Sequence, residues 1–177
     1  MLRYHDTEWG VPLHDDRKLF EFLVLDAFQA GLSWAIVLNK RNGFEKAFNK
    51  FDARKIARYT ARDVRRLTAD AGIIRNGLKI KATITNAQAF LNVQKEFGSF
   101  DKYIWQFVHQ KLIINRFTVD TGIPARTKDS DAMSEDLKKR GFKFVGSTIC
   151  YAFMQAAGMV NDHLTTCFRY SPLKRKR

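Results

Sequence analysis

The sequence predicts an all-α protein, and three observations support this prediction. Apolar residues recur at helical spacing over most of the 177 residues. Capping signals separate the helical stretches, such as Thr60 followed by Asp63, with a stop at Gly72. The 15 Phe and 3 Trp should fill a core large enough to need no disulfide or metal. Without a visible repeat or linker, we expect a single domain over 1–177, with two closely packed helical lobes as the alternative.

The individual helices follow from local patterns. Residues 17–31 are apolar nearly all round, which predicts a central, buried helix. Ser33 is a candidate N-cap for a helix that starts at Trp34. The run 111–117 fits either strand or helix. The other predicted helices are 61–71, 79–97, 101–108, 131–139 with Ser130 as its cap, and 148–157, ended by Gly158.

The charge balance points to a polyanionic partner. Lys and Arg number 31 against 18 acids, which gives a net charge of +13. Nucleic acid is the leading candidate partner, and a purely solubilising charge is the alternative. The sequence shows neither a signal peptide nor an apolar run long enough for a membrane span, and it has only two Cys, so we expect a cytoplasmic protein. The basic tail 171–177 reads as a solvated terminus, or else as a localisation signal or DNA-binding arm.

The stretch 137–150 has the pattern helix, tight hairpin, helix. After Gly146 a new helix is predicted to begin near Ser147 and Thr148. Free N–H groups and the helix dipole at such a start favour a phosphate, and Lys143 adds positive charge. The pattern therefore predicts a clamp for the DNA backbone at about 130–158. An ordinary helical hairpin with a solvated basic face is the alternative.

Asp26 lies on an apolar stripe of the 17–31 helix. A buried carboxylate is costly unless it is paired, so Asp26 is either a site residue or a partner in a structural ion pair or helix cap. The aromatic residues Tyr4, Trp9 and Trp34 are close to it in sequence. Aromatic walls with one carboxylate suit a flat cationic ring, although most aromatic side chains simply fill cores.

His163 and Cys167 stand four residues apart and would share one face of a helix. With His5 they could supply three zinc ligands, whereas a closed structural site needs four. Chance spacing is the alternative. The other cysteine, Cys150, falls inside a helix that reads as packed.

Five ordered blocks resemble one family, the bacterial DNA-3-methyladenine glycosylase I family. They are Tyr4 to Pro12, Phe28 to Trp34, Asp70 to Arg75, Lys138 to Tyr151, and Gly158 to His163. The resemblance extends over nearly the whole chain. It implies the helix-hairpin-helix DNA glycosylase fold, with the DNA clamp at 142–148.

The resemblance also implies a function. The chain would hydrolyse the N-glycosidic bond of 3-methyladenine flipped out of double-stranded alkylated DNA, as a monofunctional, monomeric enzyme without an organic cofactor. The resemblance further implies that the walls of the base pocket are Tyr4, Trp9 and Trp34 and that the carboxylate of Asp26 recognises the base. A turn would approach the DNA. The turn contains Gln29, Gly31 and Leu32. The family usually has Glu where Asp26 stands. The alternative function is a non-catalytic helix-hairpin-helix DNA-binding protein.

Finally, the resemblance implies that His5, His163 and Cys167 are three of the four ligands of a structural zinc. In the family the fourth ligand is a Cys upstream of the block that starts at Tyr4, and the sequence has none there. We therefore expect zinc to be substoichiometric or absent, with Cys150 as the first candidate for a replacement ligand. A start site inside a longer protein and a zinc-free variant both explain the difference.

Overall fold

A computed structural model describes residues 1–171 and confirms the all-α prediction. Of the predicted basic tail 171–177, only Ser171 falls within the described residues. The helices are α1 (Leu2–Thr7), α2 (Asp16–Gln29), α3 (Trp34–Asn39), α4 (Arg41–Ala47), α5 (Ala53–Ile56), α6 (Ala61–Ala69), α7 (Gly77–Phe97), α8 (Phe100–Trp105), α9 (Lys128–Lys139) and α10 (Ser147–Ala156). A short parallel pair joins β1 (Ile113–Ile114) to β2 (Val160–Asn161).

Helix α2 is the centre of the core, as its apolar sequence predicts. Its residues from Leu19 to Phe28 are all buried, and the helix contacts α3, α7, α8 and α10. The Asp15 side chain caps its start by accepting a hydrogen bond from the Lys18 N–H. The chain leaves the helix through Gly31, whose φ of +78° favours glycine. This central position makes α2 a rigid support for side chains on its last turns.

Helix α9 begins three residues earlier than predicted and has a capping box. Thr127 is its N-cap, and the Ser130 side chain accepts a hydrogen bond from the Thr127 N–H. Ser130 is therefore the third residue of the helix and not its cap, so that prediction is wrong. The predicted capping box of Thr60 and Asp63 is present in α6.

The strand pair holds the segment that follows α10, and residues 157–169 are not helical. The run 111–117, for which the sequence allowed either strand or helix, includes strand β1. Residues 163–167 lie outside any helix, so the expectation that His163 and Cys167 share a helical face is wrong. Across residues 1–171, no helix combines the length and hydropathy needed to cross a membrane.

Candidate active site

A small cavity lies where α1, α2, α3 and α10 meet. It has a volume of about 190 Å³ and is lined by Tyr4, Trp9, Asp26, Gln29, Trp34, Ala152, Gln155 and Ala156. The structure thus brings together the predicted carboxylate and all three predicted aromatic residues. All four lie within the first 34 residues, and α10 closes the cavity with Ala152, Gln155 and Ala156.

Asp26 is buried in this cavity, and no ion pair to it is found among residues 1–171. Its side chain is 2% exposed, and Oδ2 has no hydrogen-bond partner among residues 1–171. Burial raises the pKa of Asp26 well above its ordinary value. Arg41 is engaged by other acids, because it donates to Glu21 at 2.7 Å and to Glu8 at 2.7 Å. Asp26 is therefore an acceptor held ready for a group that the fold does not supply.

The aromatic side chains form the walls of the cavity. The rings of Tyr4 and Trp34 are 5.5 Å apart between centroids. The Trp34 Nε1 is buried and has no hydrogen-bond partner within the described part of the chain. Burial and the negative charge of Asp26 both raise the pKa of Tyr4, so its phenol stays neutral at physiological pH. A free acceptor and a free donor between aromatic faces suit a flat ring with polar edges.

The turn that follows α2 continues from the cavity to the surface. Leu32 N–H donates to Gln29 O at 2.6 Å, Ala30 has φ −46° and ψ 115°, and Gly31 has φ +78°. These values define a type II β-turn, in which the third residue needs a positive φ and is usually Gly. Leu32 is 38% exposed at the end of this turn. The turn therefore places a backbone edge and an apolar side chain in solvent beside the cavity.

The predicted hairpin lies between α9 and α10, and other elements hold it firmly. Asn86 of α7 makes two hydrogen bonds to the Lys143 backbone. The Lys143 N–H donates to Asn86 Oδ1 at 2.7 Å, and Asn86 Nδ2 donates to the Lys143 carbonyl oxygen at 3.0 Å. Ser134 of α9 donates to Val145 O at 2.7 Å. The backbone that leads into α10 is consequently fixed before any ligand binds.

The start of α10 fits an anion. Its N-cap is Gly146, which offers no side-chain cap to the first N–H groups, and Ser147 and Thr148 form the first turn. A Cβ added to Gly146 would meet no atom within 4 Å, and its φ is −65°, so the fold itself does not require Gly here. The exposed side chain of Lys143 is three residues away.

A second cluster joins the two ends of the chain. The ligand atoms of His5, His163 and Cys167 lie within 4.8 Å of one another. The Nδ1 atom of each imidazole is within hydrogen-bond distance of a side-chain oxygen. His5 Nδ1 is 2.8 Å from Asp6 Oδ1, and His163 Nδ1 is 3.0 Å from Asn161 Oδ1. His163 Nε2 is buried without a partner in the described structure.

This arrangement fits a metal ion, because ligating imidazoles usually engage an oxygen through their second nitrogen. Cys150 is not part of the cluster and instead donates to Val145 O at 3.4 Å. The cluster supports the cavity, since the His163 ring is 4.5 Å from the Trp9 ring between centroids.

Asp162, the acid that follows the hairpin, is fully engaged in the fold. It accepts hydrogen bonds from Asn115 at 2.6 Å, Tyr151 at 2.7 Å and Gln155 at 2.8 Å. These three donors engage both oxygens of the carboxylate and leave it no free role as a catalytic base. The last of these bonds orients Gln155, which lines the cavity.

Sequence reasoning missed Lys79, Asn86 and Gln155. Lys79 and Asn86 are buried polar residues on α7 that contact, respectively, the turn after α2 and the hairpin. They lie seven residues apart and so share one face of the helix. Polar side chains on a buried face were the available signal, but only the tertiary structure shows their partners.

Comparisons with known proteins agree with this geometry. A sequence model of the methyladenine glycosylase family matches residues 1–170. DNA-3-methyladenine glycosylase 1 of Escherichia coli (strain K12) is 50% identical over 169 residues, which are 96% of this chain and 90% of that protein. DNA-3-methyladenine glycosylase of Haemophilus influenzae is 47% identical over 164 residues, with 93% and 89% covered.

Solved structures give the same result. 3-Methyladenine DNA glycosylase I from Staphylococcus aureus superposes with a TM-score of 0.93 at 36% identity, over 96% of this chain and 90% of that one. A Tyr-to-Phe variant of a 3-methyladenine DNA glycosylase I, in complex with 3-methyladenine, also gives 0.93, at 35% identity over 96% and 91% of the two chains. The chain therefore belongs to the methyladenine glycosylase family.

Proposed function

We propose that this protein is a DNA glycosylase that removes 3-methyladenine from alkylated DNA by hydrolysing its N-glycosidic bond. The observation that carries the proposal is the unpaired, buried carboxylate of Asp26 between aromatic walls. The relatives named above are 3-methyladenine glycosylases, and one of the solved structures contains 3-methyladenine. Family and cavity chemistry thus agree on the substrate.

The cavity selects for a cationic base. In the nucleotide, 3-methyladenine carries a positive charge, whereas adenine is neutral. A cation in the cavity offsets the burial of Asp26 and favours its ionised form. Carboxylate oxygens then accept hydrogen bonds from the amino edge of the base, and the faces of Tyr4, Trp9 and Trp34 attract the cationic ring.

The chemical step needs little assistance from an acid. Cleavage of the bond to the sugar leaves the base neutral, so the methylated base departs easily. The protein must extrude the nucleotide, hold its base and admit a water molecule to the anomeric carbon. Asp162 has its oxygens engaged by Asn115, Tyr151 and Gln155 and takes no part in this step.

DNA binding rests on the backbone of the duplex. The N–H groups of Ser147 and Thr148 at the start of α10 and the Lys143 ammonium would bind phosphates. The 29–32 turn would enter the duplex next to the extruded nucleotide. We expect the protein to act as a monomer in the cytoplasm.

His5, His163 and Cys167 would hold a zinc ion, and such an ion would supply structural cross-linking of the chain ends. His5 belongs to α1, which also carries Tyr4, so the cluster would fix one wall of the base cavity. The ring of His163 contacts the ring of Trp9, which forms another wall of the cavity.

A base-release assay tests the proposal. Duplex DNA treated with a methylating agent is incubated with the protein, and the released bases are separated and identified. We expect 3-methyladenine to be released by the natural protein and only slowly by Asp26→Asn. DNA binding without base release would instead identify a non-catalytic DNA-binding protein.

A further inference from the structure

Lys79 is a buried lysine with an unusual set of partners. Its side chain is 6% exposed, and Nζ donates to the carbonyl oxygens of Phe28 at 2.8 Å and Ala30 at 2.6 Å. No ion pair to a carboxylate is found for it among residues 1–171, and burial lowers its pKa. Buried lysines are rare, and one that is held by backbone carbonyls points to a specific local task.

The bond to Ala30 O fixes the central peptide of the 29–32 turn. Type I and type II turns differ by a flip of this peptide, which joins Ala30 to Gly31. Because Lys79 holds the carbonyl oxygen towards the protein, the N–H of the same trans peptide points the opposite way. In the described structure the Gly31 N–H has no backbone partner, and Gly31 is exposed.

The same ammonium group also faces the hairpin. Lys79 Nζ is 5.8 Å from the centroid of the Phe144 ring, and Phe144 is an exposed residue with a φ of +56°. Two turns further along α7, Asn86 binds the backbone of Lys143. One face of α7 thus contacts both the turn and the hairpin, which lie on either side of Lys79.

We propose that Lys79 is a positioning residue for base excision, an inference that rests on the proposed function. Lys79 holds the 29–32 turn in its type II form. In that form the Gly31 N–H is directed outwards, where it can donate to a phosphate oxygen of DNA, and Leu32 projects beside the base cavity. The contact with Phe144 sets this turn at a fixed distance from the hairpin.

Three variants test the proposal. Lys79→Met keeps the length of the side chain and removes its N–H donors. Lys95→Met removes the same charge from an exposed position on the same helix and is the matched control. Gly31→Ala disfavours the positive φ of a type II turn, while its new Cβ meets no atom within 4 Å.

We measure single-turnover release of 3-methyladenine from duplex DNA and binding of free 3-methyladenine by tryptophan fluorescence. Misplacement of the turn by about 1 Å is expected to slow release by roughly 10- to 100-fold in both Lys79→Met and Gly31→Ala. Binding of the free base should stay within about twofold, because Ala30, Gly31 and Leu32 do not line the cavity. Since both changes act on the turn, the double variant should be little slower than either single one.

Release at the natural rate by Lys79→Met overturns the proposal, as do losses that multiply in the double variant. An equal loss of free-base binding would also overturn it, because that indicates general damage. If Lys79→Met does not fold, Lys79→Gln, which keeps one N–H donor group without the charge, is examined in the same way.

Hydrogen exchange of the Gly31 amide in the unmodified protein is an independent check. It should be fast in the free protein and slower when DNA with an abasic site is bound, whereas protection in the free protein refutes the turn geometry. If neither the unmodified protein nor Lys95→Met releases any base, the proposed function fails, and the exchange experiment still judges the role of Lys79.

Discussion

Replacing Asp26 by Asn should abolish most activity, and the stability of the variant relative to the natural protein should increase as the pH rises. Burial raises the pKa of the natural carboxyl in the folded state, and its Oδ2 has no hydrogen-bond partner among residues 1–171. The folded protein therefore binds a proton that the unfolded chain has already released. Folding stability must then fall as the pH rises above the ordinary carboxyl pKa of 3.8.

The size of this effect follows from proton linkage. While the carboxyl is protonated in the folded state and ionised in the unfolded state, the free energy of unfolding falls by about 1.4 kcal/mol for each pH unit. The fall ends where Asp26 ionises in the folded protein. The amide of the Asp26→Asn variant has no proton to lose, so the variant lacks this contribution. Its unpaired amide costs about 1–3 kcal/mol at every pH, which shifts the whole curve without tilting it.

Urea unfolding from pH 4 to pH 8, followed by tryptophan fluorescence, measures the difference. The stability of Asp26→Asn relative to the natural protein should increase with pH, whereas an exposed control, Asp120→Asn, should show no such trend. Loss of a charge-assisted hydrogen bond of about 1.5–3 kcal/mol should slow 3-methyladenine release by roughly 10- to 100-fold. Affinity for abasic-site DNA should change little, since the hairpin is elsewhere.

The opposite slope would refute this reasoning. If Asp26→Asn lost stability as the pH rose, the natural carboxylate would be stabilised by a cation, as in a buried ion pair whose rupture costs about 3–5 kcal/mol. Normal release of 3-methyladenine by a stably folded Asp26→Asn protein would remove Asp26 from the site.

Three further predictions concern the rest of the molecule. Binding to undamaged duplex should weaken steeply as the salt concentration rises. Lys143→Met should reduce the slope of log affinity against log salt by about 1 on all sequences, with Lys95→Met as the control. An affinity that does not change with salt would contradict phosphate binding. Metal analysis should find less than one zinc per chain, because the cluster has three protein ligands, and one tightly held zinc would require a fourth ligand from elsewhere. Gly146→Ala should melt at or slightly above the melting temperature of the natural protein, since its Cβ meets no atom within 4 Å. Its affinity for abasic-site DNA should fall, and an unchanged affinity would show that no phosphate approaches this residue.

The sequence predicts much of this fold because its local signals agree with one another. The apolar run of α2 and the capping box at Thr60 are read directly, and both occur as predicted. The start of α9 was misplaced because Thr127 and Ser130 are both good caps, and only the reciprocal bonds between them decide. The cluster of His163 and Cys167 was placed on a helix because their spacing fits one, although a loop brings them together.

The candidate site was less predictable, because it depends on contacts between distant parts of the chain. Periodicity indicates that Asp26 is buried but cannot show whether a cation pairs with it. The tertiary structure gives that answer, because no ion pair to Asp26 is found among residues 1–171. Lys79 likewise looks like any lysine on a helix until its carbonyl partners, about 50 residues earlier in the chain, are known.

The buried polar groups of this protein fall into two classes with different consequences. Asp162 and Asn86 have their hydrogen bonds supplied by the fold, and they hold Gln155 and the hairpin in place. Five buried atoms have no hydrogen-bond partner among the described residues, and three of them are Asp26 Oδ2, Trp34 Nε1 and His163 Nε2. Buried unpaired groups reduce stability, so a fold keeps them where a ligand supplies the missing partner. The first two belong to residues that line one cavity, and the third belongs to the cluster beside its wall. These three atoms therefore support the proposed base pocket and the proposed metal site.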